Sequence, residues 1–401
     1  MKIAILGAGL TGTLAALELA EAGHDISLFD RLDHPFSGAS LACEGKIHLG
    51  YVYALDQSRR TAVKMLQGWA VFRPLIERWT GAALFDHHLS DPFLYAVPKD
   101  SLLPVDGIRA HFHAVSDAMT AMNLPAPDRD WHEMSRTAYA ATFDPDRVMA
   151  VFETQERAID TAALAAAIRQ ALATAPRLTL RMGCQITAVT RAETGFTVQG
   201  ISGETPFLEG FDIVVNALWE HRILIDATLG LPVDRPVVHR FKYGVFTKNP
   251  QVLRAIPSVT FLIGAYGDSV AFSDNAYLSW YPIGLISQEV ALRPTVQDPT
   301  ISADQTRRII AGTLENLRAL MPCTASHLTH NEDDWTLKGG FVTAWGQSGI
   351  EDAGSELHER HDVGVFSNGD YHSIDSGKLT TCPLFAAEVC ARILSRHGAA
   401  R

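Results

Sequence analysis

Two apolar periods run along the chain, and its first thirty residues contain both. Lys2 to Leu6 (KIAIL) is a short and almost wholly apolar run, the pattern of a strand buried on both faces. Thr13 to Ala22 (TLAALELAEA) consists of good helix formers and is stopped by Gly23. Ile26 to Phe29 is a second strand-like run ending on Asp30. The turn between the first strand and the helix reads Gly7-Ala8-Gly9-Leu10-Thr11-Gly12, a G-x-G-x-x-G pattern.

Each part of this unit has a physical task. Gly7 permits the tight turn, Gly9 lets the backbone approach a pyrophosphate, and Gly12 lets the helix pack against the strand. The helix N-terminus offers N–H groups and a positive dipole end to phosphate, and Leu10 and Thr11 count among the cofactor-binding positions. Asp30 follows about 20 residues on, where an acid bonds ribose hydroxyls, and Arg31 lies beside it. The carboxylate repels a 2′-phosphate, which disfavours NADP in this site but does not separate NAD from FAD. Dinucleotide binding is the expectation.

Further along, Ser37-Gly38-Ala39-Ser40 leads to Glu44-Gly45-Lys46-Ile47-His48-Leu49-Gly50-Tyr51-Val52-Tyr53, a loop placed where such sheets bind ligands. A helix is expected over 59–79. From 90 to 150 the pattern changes: strand-like Phe93 to Val97 precedes mixed polar segments with several prolines, a first visit to a second domain. Val148 to Phe152 then reads as a strand, and Asp160 as the cap of a helix over 161–173. Leu178 to Met182, Ile186 to Val189 and Phe211 to Leu218 (FDIVVNAL) read as strands of the first domain. Val237 to Phe246 (VVHRFKYGVF) and Tyr277 to Pro282 are strands of the second, and 302–320 is a helix capped by Ser302. The chain closes with a strand over 362–368 and the loop Gly369 to Thr381. A last helix then runs from about Thr380 to Ser395. In that loop Gly369, Ser376, Gly377, Lys378, Leu379 and Thr380 form a second glycine-bounded turn aimed at a helix N-terminus, fit to stabilise an anion.

Composition narrows the partners. With 401 residues, 47% of them hydrophobic, two domains with ample core are expected. A net charge of −11 argues against nucleic acid and offers no basic stripe for anionic membrane. No apolar run approaches the roughly 20 residues that span a bilayer. The pattern begins at Lys2, leaving no signal peptide, so a cytoplasmic protein is expected. Five scattered cysteines without C-x-x-C give neither a disulfide framework nor a metal site.

On the strand over 237–246, Arg240 and Lys242 share one face and Tyr243 takes the other, so the two cations are candidates for a substrate anion. A solvated strand face accounts for them equally well. Tyr53 and Tyr281 are candidate pocket walls.

The order of four passages resembles the D-amino-acid-oxidase-like superfamily of FAD-dependent oxidoreductases: GAGLTG with Asp30, the GAS-to-HLGYVY stretch, FDIVVNAL, and the C-terminal IDSGKLTT. His48 to Tyr53 and Ser376 to Thr381 are similar to segments of 2-hydroxyglutarate and glycerol-3-phosphate dehydrogenases. The family usually has glycine just after the VVNA strand, whereas this chain reads Leu218-Trp219-Glu220-His221.

The resemblance implies an α/β fold. A Rossmann-like FAD-binding domain (1–90, 148–235 and 335–401) would be interrupted by an α+β substrate domain with a mostly antiparallel sheet (91–147 and 236–334). It implies oxidation of a CH–NH or CH–OH carbon of a small, anionic substrate by hydride transfer to flavin N5, as in amino acid oxidases. His48 is the first candidate for base or orienting group and His372 the second; a structural histidine is the competing reading of His48. Ser40, Lys46 and Ile186 join the cofactor-binding positions. Covalent FAD attachment through His48, Cys43 or Cys382 stays open, as do the electron acceptor (oxygen, quinone or protein) and the oligomeric state. A flavin monooxygenase or halogenase and a non-catalytic flavin-binding subunit are the alternatives.

Overall fold

The computed structural model describes residues 1–125, 131–329 and 331–398. Strand β1 (Lys2–Leu6), helix α1 (Leu10–Glu21) and strand β2 (Asp25–Phe29) form where the apolar pattern places them. Ten of the twelve α1 residues are buried, which is why the helix reads as apolar all round rather than amphipathic.

β1 lies inside a six-stranded sheet, between β2 and Ile213–Asn216. Tyr371–Asp375 and then Gly364–Asn368 extend it on one side, and Leu178–Arg181 on the other. All of these pairs are parallel except the outermost one, Gly364–Asn368 with Tyr371–Asp375. Leu6 is level with both Phe29 and Asn216, so three strands end together and a crevice opens beyond them. Ile3 and Ile5 face a core shared with α1 and the helix Cys382–His397. Ala4, Leu6 and Phe29 face the antiparallel meander of Cys184–Arg191, Phe196–Ser202 and Thr205–Phe211. A fully buried Phe29 contributes about 2–3 kcal/mol there.

The second sheet runs Leu285–Val290, Val237–Thr247, Ala276–Trp280, Gly267–Ala271, Val259–Phe261, Leu94–Pro98, Val148–Thr154, Trp131–Glu133. Thr336–Trp345 lies along Val237–Thr247. Only Val259–Phe261 with Leu94–Pro98 is parallel, so the sheet is mostly antiparallel, as expected. Helix Ala303–Leu320 packs Ile309, Ile310, Leu314 and Leu317 on it and begins with a reciprocal Ser302–Gln305 capping box.

Two strands sit elsewhere than the sequence pattern places them. Val148–Thr154, read as a return to the first sheet, pairs with Leu94–Pro98 and Trp131–Glu133 in the second. Thr336–Trp345, inside the span 335–401, pairs with Val237–Thr247 in the same second sheet. An apolar strand carries no local mark of its partner, because pairing is decided by contacts distant in sequence. The last helix starts at Cys382, preceded by a 3-10 turn over Leu379–Thr381.

Candidate functional site

The crevice beyond β1 and β2 is a cleft of about 1360 Å³, its solvent-open part included. Its floor is the glycine turn. Gly7 has φ +99°, and a Cβ there would stand 2.4 Å from the Ala217 carbonyl oxygen. A Cβ on Gly12 would stand 1.9 Å from the Gly7 carbonyl oxygen, so helix and turn touch as only glycine allows. Gly9 occupies the α1 N-cap and supplies no side-chain cap, which leaves first-turn N–H groups for a phosphate. Leu10 is the exception, donating its N–H to Ser40 Oγ at 3.1 Å.

Asp30 also lines the cleft, and its carboxylate accepts the N–H groups of Ala8 (2.8 Å) and Leu32 (2.9 Å). Burial raises the pKa of this carboxyl, and those two donors oppose the rise. Arg31 is held by Asp298 at 2.7 Å and Glu220 at 3.7 Å. Thr11 Oγ1 meets Ser376 Oγ at 2.8 Å, tying the first turn to the C-terminal one, and Ile186, Gly377, Lys378 and Leu379 complete the lining. Glycine cradle, uncapped helix and carboxylate together fit a dinucleotide.

Three expected cofactor positions do not face the cleft: Gly12, which packs the helix on the turn, Thr380 and Gly369. Thr380 Oγ1 accepts the His48 N–H at 2.8 Å and donates to the Lys46 carbonyl at 3.2 Å, so it fixes the histidine loop from behind. Gly369 lies at a turn with φ +68° and open space around it, between the last two strands of the sheet.

A second cavity of about 1250 Å³ adjoins the first. Cys43, Glu44, Lys46, His48, Phe341 and Lys378 line both and form the seam. Tyr53, Arg240, Lys242 and Tyr281 line the second cavity, so these four sequence-derived candidates converge from three separate segments. Tyr243, on the opposite strand face, donates to the Pro299 carbonyl at 2.9 Å.

At the seam, His48 Nδ1 lies 3.2 Å from Glu156 Oε1, and Nε2 has no partner among the described residues. Glu156 is fully buried; it accepts the Leu49 N–H at 2.5 Å and a hydrogen bond from the Tyr95 hydroxyl. Burial lowers the His48 pKa, and Glu156 opposes this. Burial alone would raise the Glu156 carboxyl, but His48, Lys46 and Tyr95 hold it below its usual value. The result is a neutral imidazole with Nδ1–H on a carboxylate and Nε2 left as acceptor. Lys46 donates to Thr260 Oγ1 and faces Asp268 at 3.4 Å.

Around the second cavity, Arg240 is 1% exposed, donates to the Tyr281 hydroxyl at 2.5 Å and leaves Nε unpartnered. Lys242 Nζ donates to Ser279 Oγ at 3.1 Å. Arg360, also buried, donates to the carbonyls of Thr343 (3.0 Å) and Leu357 (3.2 Å). Burial and then Arg240 bring its pKa down to about 10. Burial takes Lys378 down to about 8, against the pull of Glu44. Burial would raise Glu44, but Lys378, Lys46 and Lys242 overcome it and hold the carboxyl at about 2. The Tyr53 hydroxyl is buried without a partner.

His372 stands apart. It lies on Tyr371–Asp375, its Nδ1 is 2.8 Å from Ser367 Oγ, and it is in neither cavity lining. Burial drives its pKa to about 4. Burial pushes the thiols of Cys43 and Cys382 up, to about 12 and about 11, so both are protonated at neutral pH. Sequence reasoning missed Glu156, Asp268 and Arg360. None belongs to a motif; the only hint of Arg360 was the dense charge of Glu356-Leu357-His358-Glu359-Arg360-His361-Asp362.

The model of the DAO family, FAD dependent oxidoreductase, matches residues 2–343. A D-amino acid dehydrogenase of Rhizobium johnstonii is 43% identical over 51 residues, covering 13% of this chain and 12% of that protein. The FAD-dependent monooxygenase FPY4 of Fusarium mangiferae is 26% identical over 242 residues, 59% of this chain and 56% of that protein. Each match thus spans less than two thirds of the relative. Among solved structures, glycine oxidase from Geobacillus kaustophilus has TM-score 0.67 and 16% identity, over 100% of this chain and 98% of its own, which is a likeness of fold. No helix among the described residues is long and apolar enough to cross a membrane. The match over 2–343 makes this chain a member of the DAO family of FAD-dependent oxidoreductases, with FAD as its cofactor.

Proposed function

We propose that this protein, a flavoenzyme of the amino-acid oxidase and dehydrogenase type, oxidises a carbon bearing an amine or a hydroxyl in a small anionic substrate. The observation that carries the reading is the seam: a cation-rich cavity meets the cofactor cleft at a histidine whose Nε2 is free to accept a proton.

When bound, FAD supplies the acceptor for the hydride that leaves the substrate carbon. The chain's own residues do the rest. Gly7, Gly9, Leu10, Thr11 and Asp30 would hold the dinucleotide, and the turn at Ser376–Leu379 would stand at the other end of the cleft. Arg240, Lys242 and Tyr281 would anchor the substrate anion, with the Tyr53 hydroxyl as a further donor. His48 Nε2 would take the proton from the heteroatom, and Glu156 would keep the imidazole in the tautomer that can do so. In this reading the six-stranded sheet serves the cofactor and the nine-stranded sheet serves the substrate.

The test is a visible spectrum of the FAD-loaded protein under anaerobic conditions. A panel of amino acids, secondary amines and 2-hydroxy acids is added, and air is admitted afterwards. At least one anionic donor is expected to bleach the flavin. In His48→Ala, with FAD retained, bleaching slows on the order of 10²–10³-fold. Recolouring in air identifies oxygen as acceptor; its absence points to a quinone or a protein. If no donor bleaches the flavin, the reading fails. Bleaching only by NADH or NADPH would instead favour the monooxygenase reading, which the 26% identity to the Fusarium enzyme brings in.

A further inference from the structure

A buried polar network lies directly behind the wall of the cofactor cleft, outside the groups that face either cavity. Its members are Asn216, Arg222, Asp226, Tyr371, Ser373 and Asp375, each no more than 9% exposed, and none of the six lines a cavity. Arg222 is its centre. One guanidinium nitrogen donates to Asp226 Oδ2 at 3.1 Å and to Ser373 Oγ at 3.2 Å, and another donates to Asp375 Oδ2 at 3.1 Å. The hydroxyls of Tyr371 and Ser373 each donate to the Asp226 carboxylate at 2.7 Å, and the Asn216 amide donates to it at 2.9 Å.

The network reaches the cleft at two points. Asn216 Oδ1 accepts the N–H of Leu218 at 3.3 Å, and Leu218 lines the cleft. Asp375 Oδ1 accepts the N–H of Gly377 at 3.2 Å, and Gly377, at φ +64°, lines it as well. Arg222 itself directly follows Leu218-Trp219-Glu220-His221, the segment that departs from the resembled family. Next to Gly377 is Lys378, a residue of the seam, so the network ends beside the place where cleft and substrate cavity meet. Two carboxylates share one guanidinium in this interior. A buried ion pair is a poor source of stability, because desolvation offsets the attraction. It is a strong source of fixed geometry and of local field, because a fully bonded network is rigid and charge is weakly screened in a low-dielectric interior.

We propose that Arg222 and Asp375 are positioning residues for FAD: without touching it, the pair fixes the Ser376–Leu379 turn and sets the charge behind it, and so tunes the preference of the site for reduced over oxidised FAD. Asp375 holds the turn through the Gly377 N–H, and Arg222 holds Asp375 and offsets its charge. Reduction adds negative charge to the flavin. Removing the guanidinium leaves both carboxylates uncompensated and disfavours the reduced cofactor; removing the Asp375 charge favours it. The proposal rests on FAD lying in the cleft and not on the identity of any donor, so it stands or falls apart from the reaction proposed above.

The midpoint potential of the bound flavin tests it without a substrate. FAD-loaded protein is titrated anaerobically with dithionite beside a reference dye, and the affinity for oxidised FAD is measured by reconstitution of the apoprotein. In Arg222→Gln the ratio of affinities is expected to move about tenfold against reduced FAD, which is ~30 mV lower for two electrons. In Asp375→Asn it is expected to move by a similar factor in the opposite direction. Arg222→Lys, which keeps the charge, is expected to recover most of the Arg222→Gln shift. Should Arg222→Gln not fold, the rise in Asp375→Asn decides alone. Opposite signs support the proposal, since general damage to the site would weaken FAD binding in both variants without separating the two oxidation states. An unmoved potential, or shifts of the same sign, overturns it.

Discussion

The cofactor cleft and the substrate cavity share a wall but recognise their ligands by opposite means. The cleft is a backbone site. Its floor comes from one continuous unit, β1 to β2, where glycine makes room and N–H groups face the ligand. The cavity is a side-chain site, assembled from loops at 43–53 and 357–360, from strands of the second sheet, and from Lys378 near the C-terminus. Backbone recognition tolerates little change in shape but carries no net charge. Side-chain recognition tolerates shape change and is set by charge, so the two regions should fail differently when altered.

The largest effect is expected where shape alone is changed. Gly12→Val places atoms where a Cβ is already 1.9 Å from the Gly7 carbonyl oxygen. FAD affinity should fall by more than about 100-fold, some 3 kcal/mol, as read by flavin absorbance after reconstitution. Retention of normal FAD binding would show that helix and turn are not in the contact described.

At the seam the change is electrostatic. Glu156→Gln keeps the shape but removes the carboxylate that favours a charged His48, so the imidazole pKa moves further down. The acid limb of the kcat/KM profile should shift to lower pH, because neutral His48 is the acceptor. kcat should drop on the order of 10–100-fold as the tautomer is no longer fixed. A profile that keeps its acid limb would detach Glu156 from the mechanism.

Within the cavity, Lys378 is charged below about pH 8 and neutral above it. Its contribution to anion binding is therefore complete at pH 7 and lost as pH rises through 8. The KM for an anionic donor should rise about fivefold between pH 7 and 9, while FAD affinity changes less. Steady-state kinetics at the two pH values decide this.

The smallest effect is expected at the wall between the regions. Trp219, in the segment that replaces the glycine usual after this strand in the resembled family, adopts φ +54°, and its indole N–H donates to the Phe341 carbonyl at 2.9 Å. Trp219→Gly relieves about 1 kcal/mol of backbone strain and loses about 1 kcal/mol of hydrogen bond. The melting temperature should move by no more than a few degrees.

The same contrast sets how much could be read from the chain. The strand, glycine turn, helix and acid of residues 2–30 are local, and they appear in the order their pattern implies, with the helix beginning at Leu10 instead of Thr13. The shared face of Arg240 and Lys242 followed from strand alternation, and both line the cavity. His372, the second candidate after His48, stands in a glycine-bounded loop by its sequence, yet strand pairing with Ile213–Asn216 turns it toward Ser367. Glu156 and Arg360 carried no pattern, since groups that place them lie far along the chain, His48 and Tyr95 for one and Thr61, which accepts the Arg360 N–H, for the other.

By itself, then, the sequence determined the dinucleotide turn and the cations available for a substrate, because these depend on residue type and short-range periodicity; the mostly antiparallel second sheet was implied only by the family resemblance. The tertiary structure alone decided that the strands at 148–154 and 336–345 join the second sheet, and that Arg360 and Glu156 enter the site. Sheet partnership and charge neighbourhood are long-range quantities: they arise from segments distant in sequence meeting in space, which no local spacing encodes.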